Sequence, residues 1–174
     1  MGVWPWDAPE EPAAVTVRWE EGVPVAIDGE TMVLERIFES ANRIAGEHGV
    51  GRVDHLEDRL VGIKSREVYE APAATVLHTA HKALESITLS RDQIRMKDRV
   101  SQEYAEHVYN GLWYTGFHND LDAYVRSTQR YVTGTIRMKL FKGTCSVVGR
   151  SSEYSIYRHD LATYDTGDSF DHRS

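Results

Sequence analysis

Residues 133–150, TGTIRMKLFKGTCSVVGR, carry the pattern that most directly decides the fold. Apolar residues alternate with other residues on both sides of a short break, at Ile136, Met138 and Leu140 and then at Cys145 and Val147. A period of two residues is typical of a strand that is buried on one face. Lys-Gly at 142–143 is a common turn between two such strands. The stretch therefore predicts a β-hairpin.

A second alternating stretch lies near the start of the chain, in residues 14–30, AVTVRWEEGVPVAIDGE. Its apolar positions are Val15, Val17 and Trp19, followed by Val23, Val25 and Ile27. The intervening Glu-Glu-Gly is a turn signal, so this stretch predicts a second hairpin.

The residues between these hairpins have helical spacing. Apolar positions recur three and four residues apart in 31–49 and in 75–89, which predicts two amphipathic helices. Ser90 and Gln93 form a capping-box pattern for a third helix that ends near Gly111, and Asn119 is a candidate cap for a fourth. Hairpins flanking helices predict an α+β fold, with an antiparallel sheet built from hairpins and packed with several helices.

The two ends differ in composition from the middle. Residues 1–12 contain three of the five prolines and two of the four tryptophans, so we expect an extended arm without a helix. Trp4 and Trp6 have few expected partners in such an arm and favour burial against a neighbour. The polar, turn-rich residues 165–174 predict a tail. The folded domain is therefore expected over residues 13–164.

Composition narrows the classes of function. The chain has 174 residues, with 20 basic and 27 acidic ones and a net charge of −7. An acidic chain repels phosphate backbones, so a nucleic-acid partner is disfavoured. The sequence has no apolar run near the ~20 residues that span a membrane, so no membrane partner is expected. Cys145 is the only cysteine, which favours a reducing, cytoplasmic location.

Several candidate sites have simple structural explanations. His78 and His81 lie three apart on a predicted helix but lack the glutamate of a zinc motif, so no metal is expected. Residues 48–52, HGVGR, match neither common phosphate-loop pattern. Cys145 is expected to pack as a small apolar residue. Arg150 with the serines and tyrosines of 151–157 could bind an anion or form a polar loop, and both interpretations stay open.

Residues 57–69, EDRLVGIKSREVY, form a dense stretch of charged residues with a single glycine and a tyrosine. They could be a solvated surface. Alternatively, Leu60, Val61 and Ile63 form a buried strand that fixes the charged groups at its two ends. A carboxylate and a phenol held on such a scaffold would then suit an amino-acid ammonium or a polar amide, because hydrogen bonds to charged groups are strong when water is excluded.

Seven segments together resemble one known family. They are HGVGRVDHLEDRLVGIKSREVYEAP (48–72), HTAHKALESITL (78–89), YNGLWY (109–114), VTGTIRMKLFKG (132–143), GVPVAIDGE (22–30), VVGRSSEYSIY (147–157) and DLATYDTGDSFD (160–171). With these segments the chain resembles the C-terminal domain of argininosuccinate synthase, from about residue 3 to residue 171.

The resemblance implies an ATP-dependent ligase of arginine biosynthesis and the urea cycle. The family joins citrulline to aspartate and releases AMP and pyrophosphate, typically as a cytoplasmic homotetramer. Its citrulline contacts in this domain correspond to Glu57 and Tyr69. ATP, with Mg²⁺, is bound by an upstream nucleotide-binding domain, so this chain by itself is expected to bind no cofactor and to carry no catalytic residue.

The chain also departs from the family pattern. The ATP loop, Ser-Gly-Gly-x-Asp-Thr-Ser, does not occur in it, and common members have glycine where Glu67, Ala73 and Ala74 stand. We therefore expect a fragment or a separately encoded subunit that is inactive alone and works with a nucleotide-binding domain in cis or in trans. The alternative is a binding or assembly module that keeps the fold without turnover.

Overall fold

The computed structural model describes residues 2–157. Within this range the chain forms seven strands and four helices, which are numbered here in chain order. They are β1 (Ala13–Glu20), β2 (Val23–Ile27), β3 (Glu30–Thr31), α1 (Leu34–Glu47), β4 (Arg52–Asp58), β5 (Lys64–Glu70), α2 (Pro72–Thr88), α3 (Arg91–Tyr109), α4 (Gly116–Gln129), β6 (Gly134–Phe141) and β7 (Thr144–Ser151).

The two predicted hairpins join into one antiparallel sheet with the strand order β3-β2-β1-β6-β7. β1 connects them by pairing with β6, where Val15 lies opposite Met138 and Val17 lies opposite Ile136. The turn between β6 and β7 contains Lys142 and Gly143, both with positive φ. The predicted α+β class and both hairpins are therefore confirmed.

One face of this sheet carries the core, against which α1 and α2 pack. The inward residues of the two central strands are almost fully buried, as are those of the helices: Val15, Val17, Trp19, Ile37, Ala41, Val76, Ala80, Leu84, Ile136, Met138 and Leu140. The alternate residues Arg137 and Lys139 of β6 are exposed. The sheet and these two helices therefore form two layers around a single apolar core.

The alternation predicted for β2 is wrong. Val23 was expected to face the core but is 50% exposed. Ala26 and Ile27, which are consecutive, are both buried, whereas strict alternation would bury only one of them. The pairing between β1 and β2 shifts register between Arg18 and Trp19, which brings Trp19 opposite Pro24. An irregularity of this kind changes which residues of a strand face the core.

The third and fourth helices test the capping predictions. At the start of α3, the Ser90 hydroxyl accepts from the Gln93 backbone N–H while the Gln93 side chain accepts from Ser90, so the predicted capping box is confirmed. The prediction that Asn119 caps α4 is wrong. The hydroxyl of Thr115 fills that role by accepting from the His118 N–H at 3.2 Å, which starts the helix earlier.

The N-terminal arm contains no helix, as expected, but it finds partners within this chain. The Val3 N–H donates to the Gly46 carbonyl at 3.0 Å. The Arg52 guanidinium lies 3.9 Å from the Trp4 ring centroid, and Trp4 stacks on Trp6 at 4.8 Å. Trp6 nevertheless stays 70% exposed. The domain boundary at residue 12 remains a prediction, and the predicted tail at 165–174 lies outside the described residues.

None of the helices in residues 2–157 is both long and apolar enough to cross a membrane.

Candidate substrate-binding site

A two-stranded sheet made of β4 and β5 carries the charged stretch. Its pairs run from Arg52 opposite Glu70 to Asp58 opposite Lys64. The predicted buried strand at 60–63 is wrong, because these residues form the turn of this hairpin. Leu60, Val61 and Ile63 are 70%, 79% and 62% exposed. Gly62 has φ +81°, a conformation that glycine adopts without strain and that lets the chain reverse here.

The base of the hairpin is fixed to the core. The Ala71 N–H donates to the Gly51 carbonyl at 2.8 Å. A Cβ at Gly51 would come within 2.4 Å of the Pro72 Cα, so only glycine permits this approach. Pro72 is the first residue of α2, a position where proline costs the helix no hydrogen bond. The hairpin therefore extends from a rigid junction.

The register of the hairpin brings Glu57 and Tyr69 to one face. Val53 pairs with Tyr69 and Glu57 pairs with Ser65, and directly paired residues point to the same side of an antiparallel sheet. The Tyr69 hydroxyl donates to Oε2 of Glu57 at 2.6 Å. The two residues that the sequence marked as a site are thus in direct contact, although they are twelve positions apart.

Two more groups reach the Glu57 carboxylate. The Tyr109 hydroxyl, at the end of α3, donates to Oε1 at 3.2 Å. An Arg59 guanidinium nitrogen lies 3.8 Å from the same oxygen. Sequence reasoning missed Tyr109 as a site residue. Its only signal was its place at the head of YNGLWY, because nothing in the spacing relates residue 109 to residue 57.

Arg59 is held chiefly by other partners. Its Nε donates to the Ser65 hydroxyl at 2.8 Å, and its guanidinium pairs with the Glu67 carboxylate. The hydrogen bond that Arg59 donates to Glu67 is the main reason why the pKa of Arg59 is raised, and Glu57 contributes less. Glu67 thereby keeps the arginine from neutralising Glu57 through a short contact.

These contacts stabilise Glu57 as an anion. The hydrogen bond from Tyr69 is the largest influence, and it lowers the pKa of Glu57 below its ordinary value of 4.5 against the opposing effect of partial burial, with help from Tyr109 and Arg59. The same bond raises the pKa of Tyr69. Partial burial raises the pKa of Tyr109, with a further contribution from Glu57. Near neutral pH the site is therefore one carboxylate with two protonated phenols.

The hydrogen-bond inventory decides what this site can accept. A phenol has one proton, and Tyr69 donates its proton to Glu57. Its oxygen lone pairs remain, and each carboxylate oxygen has a second acceptor position. The Glu57 side chain is only 16% exposed, so a ligand would meet it partly shielded from water. This arrangement suits a ligand that offers N–H donors, above all an ammonium.

The other sequence candidates have local structural partners. The His81 Nε2 lies 2.8 Å from the Gln129 side-chain oxygen, while Lys97 pairs with the buried Glu85 at 2.9 Å. Burial raises the pKa of Cys145 to about 11, so its thiol stays protonated. In residues 2–157 no group of three or more His, Cys, Asp or Glu could hold a metal ion.

The serine-rich segment after β7 has the features of a polar loop. The Ser152 hydroxyl donates to the Thr133 carbonyl at 2.5 Å and accepts from the Tyr154 N–H at 3.1 Å. The Ser155 hydroxyl accepts from the Tyr157 N–H at 3.2 Å. These contacts use the hydroxyls to hold the backbone. The anion-binding interpretation gains no support from them.

Comparison with known proteins places this chain in a family. The family described as "Arginosuccinate synthase C-terminal domain" matches residues 3–174. The chain is 55% identical over 170 residues to an argininosuccinate synthase of Symbiobacterium thermophilum, covering 98% of this chain and 42% of that protein. It is 54% identical over 167 residues to an argininosuccinate synthase of Rubrobacter xylanophilus, covering 96% of this chain and 41% of that protein.

A Dehalococcoides mccartyi argininosuccinate synthase shows the same relationship, with 53% identity over 95% of this chain and 41% of that protein. The chain thus spans about two fifths of the length of these curated relatives. Because both the family match and the identities extend over nearly all 174 residues, the chain belongs to the argininosuccinate synthase family and corresponds to its C-terminal domain.

Proposed function

We propose that this chain is the citrulline-binding and assembly part of an argininosuccinate synthase. It would act with a nucleotide-binding part, in the same chain or in another, that holds ATP and Mg²⁺. The observation that carries the proposal is the Tyr69–Glu57 hydrogen bond at 2.6 Å. It presents a shielded carboxylate and a phenol oxygen together, on a hairpin fixed to the core.

The α-ammonium of citrulline is the group that these acceptors suit best. An ammonium has three N–H donors and a positive charge, which a carboxylate compensates. The ureido oxygen of citrulline is an acceptor and would be repelled by Glu57. In the family's reaction that oxygen must face the phosphates of ATP, and a carboxylate there would oppose a polyanion. We therefore assign Glu57 and Tyr69 to the amino-acid end of citrulline.

This chain and the nucleotide-binding part would then have different roles in the reaction. The ureido oxygen attacks the α-phosphorus of ATP, which forms citrullyl-AMP and expels pyrophosphate. The aspartate amine attacks the ureido carbon, AMP leaves, and argininosuccinate forms. This chain would hold citrulline through both steps without touching the phosphates. Its contribution is positioning, which converts encounters between separate molecules into reaction within one complex.

Assembly is the second part of the proposal. Three residues between α3 and α4 and one in the first turn of α4 are 42–96% exposed, namely Leu112, Trp113, Tyr114 and Phe117. Large apolar groups exposed together often mark contacts between proteins, so we propose a cytoplasmic homo-oligomer that uses this corner. A non-catalytic assembly module would use the same corner. Light scattering over a hundredfold range of concentration should give a mass above the monomer, and a constant monomer mass would contradict the assembly proposal.

The catalytic proposal is tested with a joined enzyme. In it, this chain replaces the matched region of the Symbiobacterium thermophilum protein, and the unaltered relative is the positive control. We expect the joined enzyme to form argininosuccinate from citrulline, aspartate and ATP, while this chain alone forms none. A joined enzyme that has the same melting behaviour and mass as the relative but forms no product would contradict the proposal and favour the non-catalytic module.

A further inference from the structure

Tyr109 connects the β4–β5 hairpin to α3. The residue ends α3, and its hydroxyl lies 3.2 Å from Oε1 of Glu57. Tyr69 occupies the other carboxylate oxygen, Oε2, at 2.6 Å. Two phenols from two different elements therefore hold the two oxygens of one carboxylate, and 52 positions of sequence separate Tyr109 from Glu57.

Two hydrogen-bond donors restrict the rotation of a carboxylate group more than a single donor does. The last torsion of a glutamate side chain is broad, with no deep staggered minima to fix the carboxylate plane. One hydrogen bond leaves that plane free to turn about the bonded oxygen. A second bond at the other oxygen removes that freedom and sets the directions of the unused lone pairs, which are the positions left for a ligand.

The Tyr109 hydroxyl is not required for the fold around it. Tyr109 is 49% exposed, and within residues 2–157 its hydroxyl has Glu57 as its only hydrogen-bond partner. The end of α3 is held separately, because the Asn110 side chain donates to the Glu106 carbonyl at 2.8 Å and to its carboxylate at 2.7 Å. Loss of the hydroxyl should therefore leave the helix end intact.

The nearby Arg59 guanidinium does not fix the orientation of the Glu57 carboxylate. Arg59 is 3.8 Å from Oε1, beyond hydrogen-bond distance. It is anchored by Ser65 and Glu67 instead. The orientation of Oε1 therefore depends on Tyr109.

We propose that Tyr109 is a positioning residue for citrulline binding, which fixes the plane of the Glu57 carboxylate and thereby couples α3 to the substrate site. This role rests on the proposed function, because it presumes that Glu57 accepts from citrulline. Tyr109 itself need not touch the substrate. Movement of α3, for instance on assembly, would change the geometry of Glu57 and hence the affinity for citrulline.

The test compares Tyr109→Phe with Tyr131→Phe. Tyr131 is 47% exposed, close to the 49% of Tyr109, and within the described residues its hydroxyl makes no hydrogen bond, so it is a matched control. The first readout is the titration of the Glu57 side-chain carboxyl by carbon-13 NMR in the full chain. We expect Tyr109→Phe to raise the pKa of Glu57 and Tyr131→Phe to leave it unchanged, since of these two tyrosines Tyr109 alone donates to the anion.

The second readout is the KM for citrulline in the joined enzyme. Tyr109→Phe should raise it about three- to tenfold, less than the loss of a direct hydrogen bond to a charged group, because Tyr109 acts on citrulline only through Glu57. The KM for ATP should be unchanged. An unchanged Glu57 titration, or an altered titration with an unchanged KM for citrulline, would overturn the positioning role. Glu57→Gln distinguishes the two failures. If it also leaves the KM for citrulline unchanged, the proposed function itself is wrong; if it raises the KM, only the role of Tyr109 is wrong.

Discussion

The Tyr69 hydroxyl donates its one proton to Oε2 of Glu57, across the β4–β5 hairpin and at 2.6 Å. This bond decides the polarity of the site, because it leaves only acceptor positions on both side chains. It also changes what the two residues are expected to do. From the sequence, Tyr69 was expected to orient the substrate directly, whereas in the structure it first orients and stabilises the carboxylate.

Tyr69→Phe should therefore weaken citrulline binding through two losses. Glu57 loses the donor that fixes Oε2, and the ammonium loses the phenol oxygen as an acceptor. We expect the KM for citrulline of the joined enzyme to rise about tenfold, a size consistent with hydrogen bonds that involve a charged group. The KM for ATP should stay within about twofold, since no phosphate contact is assigned here. Equal increases in both constants would indicate general damage to the enzyme instead.

Binding should depend on pH through Glu57. Because the folded protein holds the pKa of Glu57 below its ordinary value of 4.5, the carboxylate stays charged as pH falls from neutrality through that value. Citrulline affinity in the joined enzyme, measured by calorimetry, should be flat until Glu57 begins to take up a proton. Tyr69→Phe removes the main cause of the lowered pKa, so its affinity should begin to fall at a higher pH.

The control for the pH experiment is Tyr131→Phe, which should follow the unaltered protein at every pH. If the citrulline affinity of Tyr69→Phe and that of the unaltered protein began to fall at the same pH, then Glu57 would not be the group whose charge binds citrulline.

Cys145 should react slowly with thiol reagents while the chain is folded. Burial raises its pKa to about 11 from an ordinary value of 9.0, and the thiolate is the reactive form. Two units of pKa correspond to roughly a hundredfold smaller thiolate fraction near pH 8. Iodoacetamide alkylation should therefore be about a hundredfold slower in the folded chain than in denaturant. Equal rates would show that the thiol in β7 is accessible and ionised.

The sequence predicted those parts of the fold that local patterns determine. The alternation at Ile136, Met138 and Leu140 indicates that one face of β6 is buried. The Ser90–Gln93 capping box indicates where α3 begins. These signals depend on residues a few positions apart. The pairing of β1 with β6 joins residues more than a hundred positions apart, as Val15 and Met138 show, and no local pattern specifies it.

The errors in and around the site have local and tertiary origins. Leu60, Val61 and Ile63 look like a buried strand because apolar residues usually face a core, but Gly62 turns the chain there and leaves them exposed. Asn119 is a good helix cap by residue type, yet Thr115 lies earlier and caps first. Glu57 and Tyr69 were identified through the family resemblance rather than by spacing. Tyr109 was missed because it reaches Glu57 only through the tertiary fold.

The most direct test of Glu57 as the citrulline contact is the KM for citrulline of the joined enzyme carrying Glu57→Gln, compared with Glu30→Gln on the exposed edge strand β3. Glutamine keeps the shape but removes the charge, so we expect Glu57→Gln to raise this KM about tenfold or more. The KM for ATP and the melting temperature should stay close to those of the Glu30→Gln control. A lowered melting temperature with an unchanged KM for citrulline would contradict the assignment and make residues 57–69 a solvated group of charges.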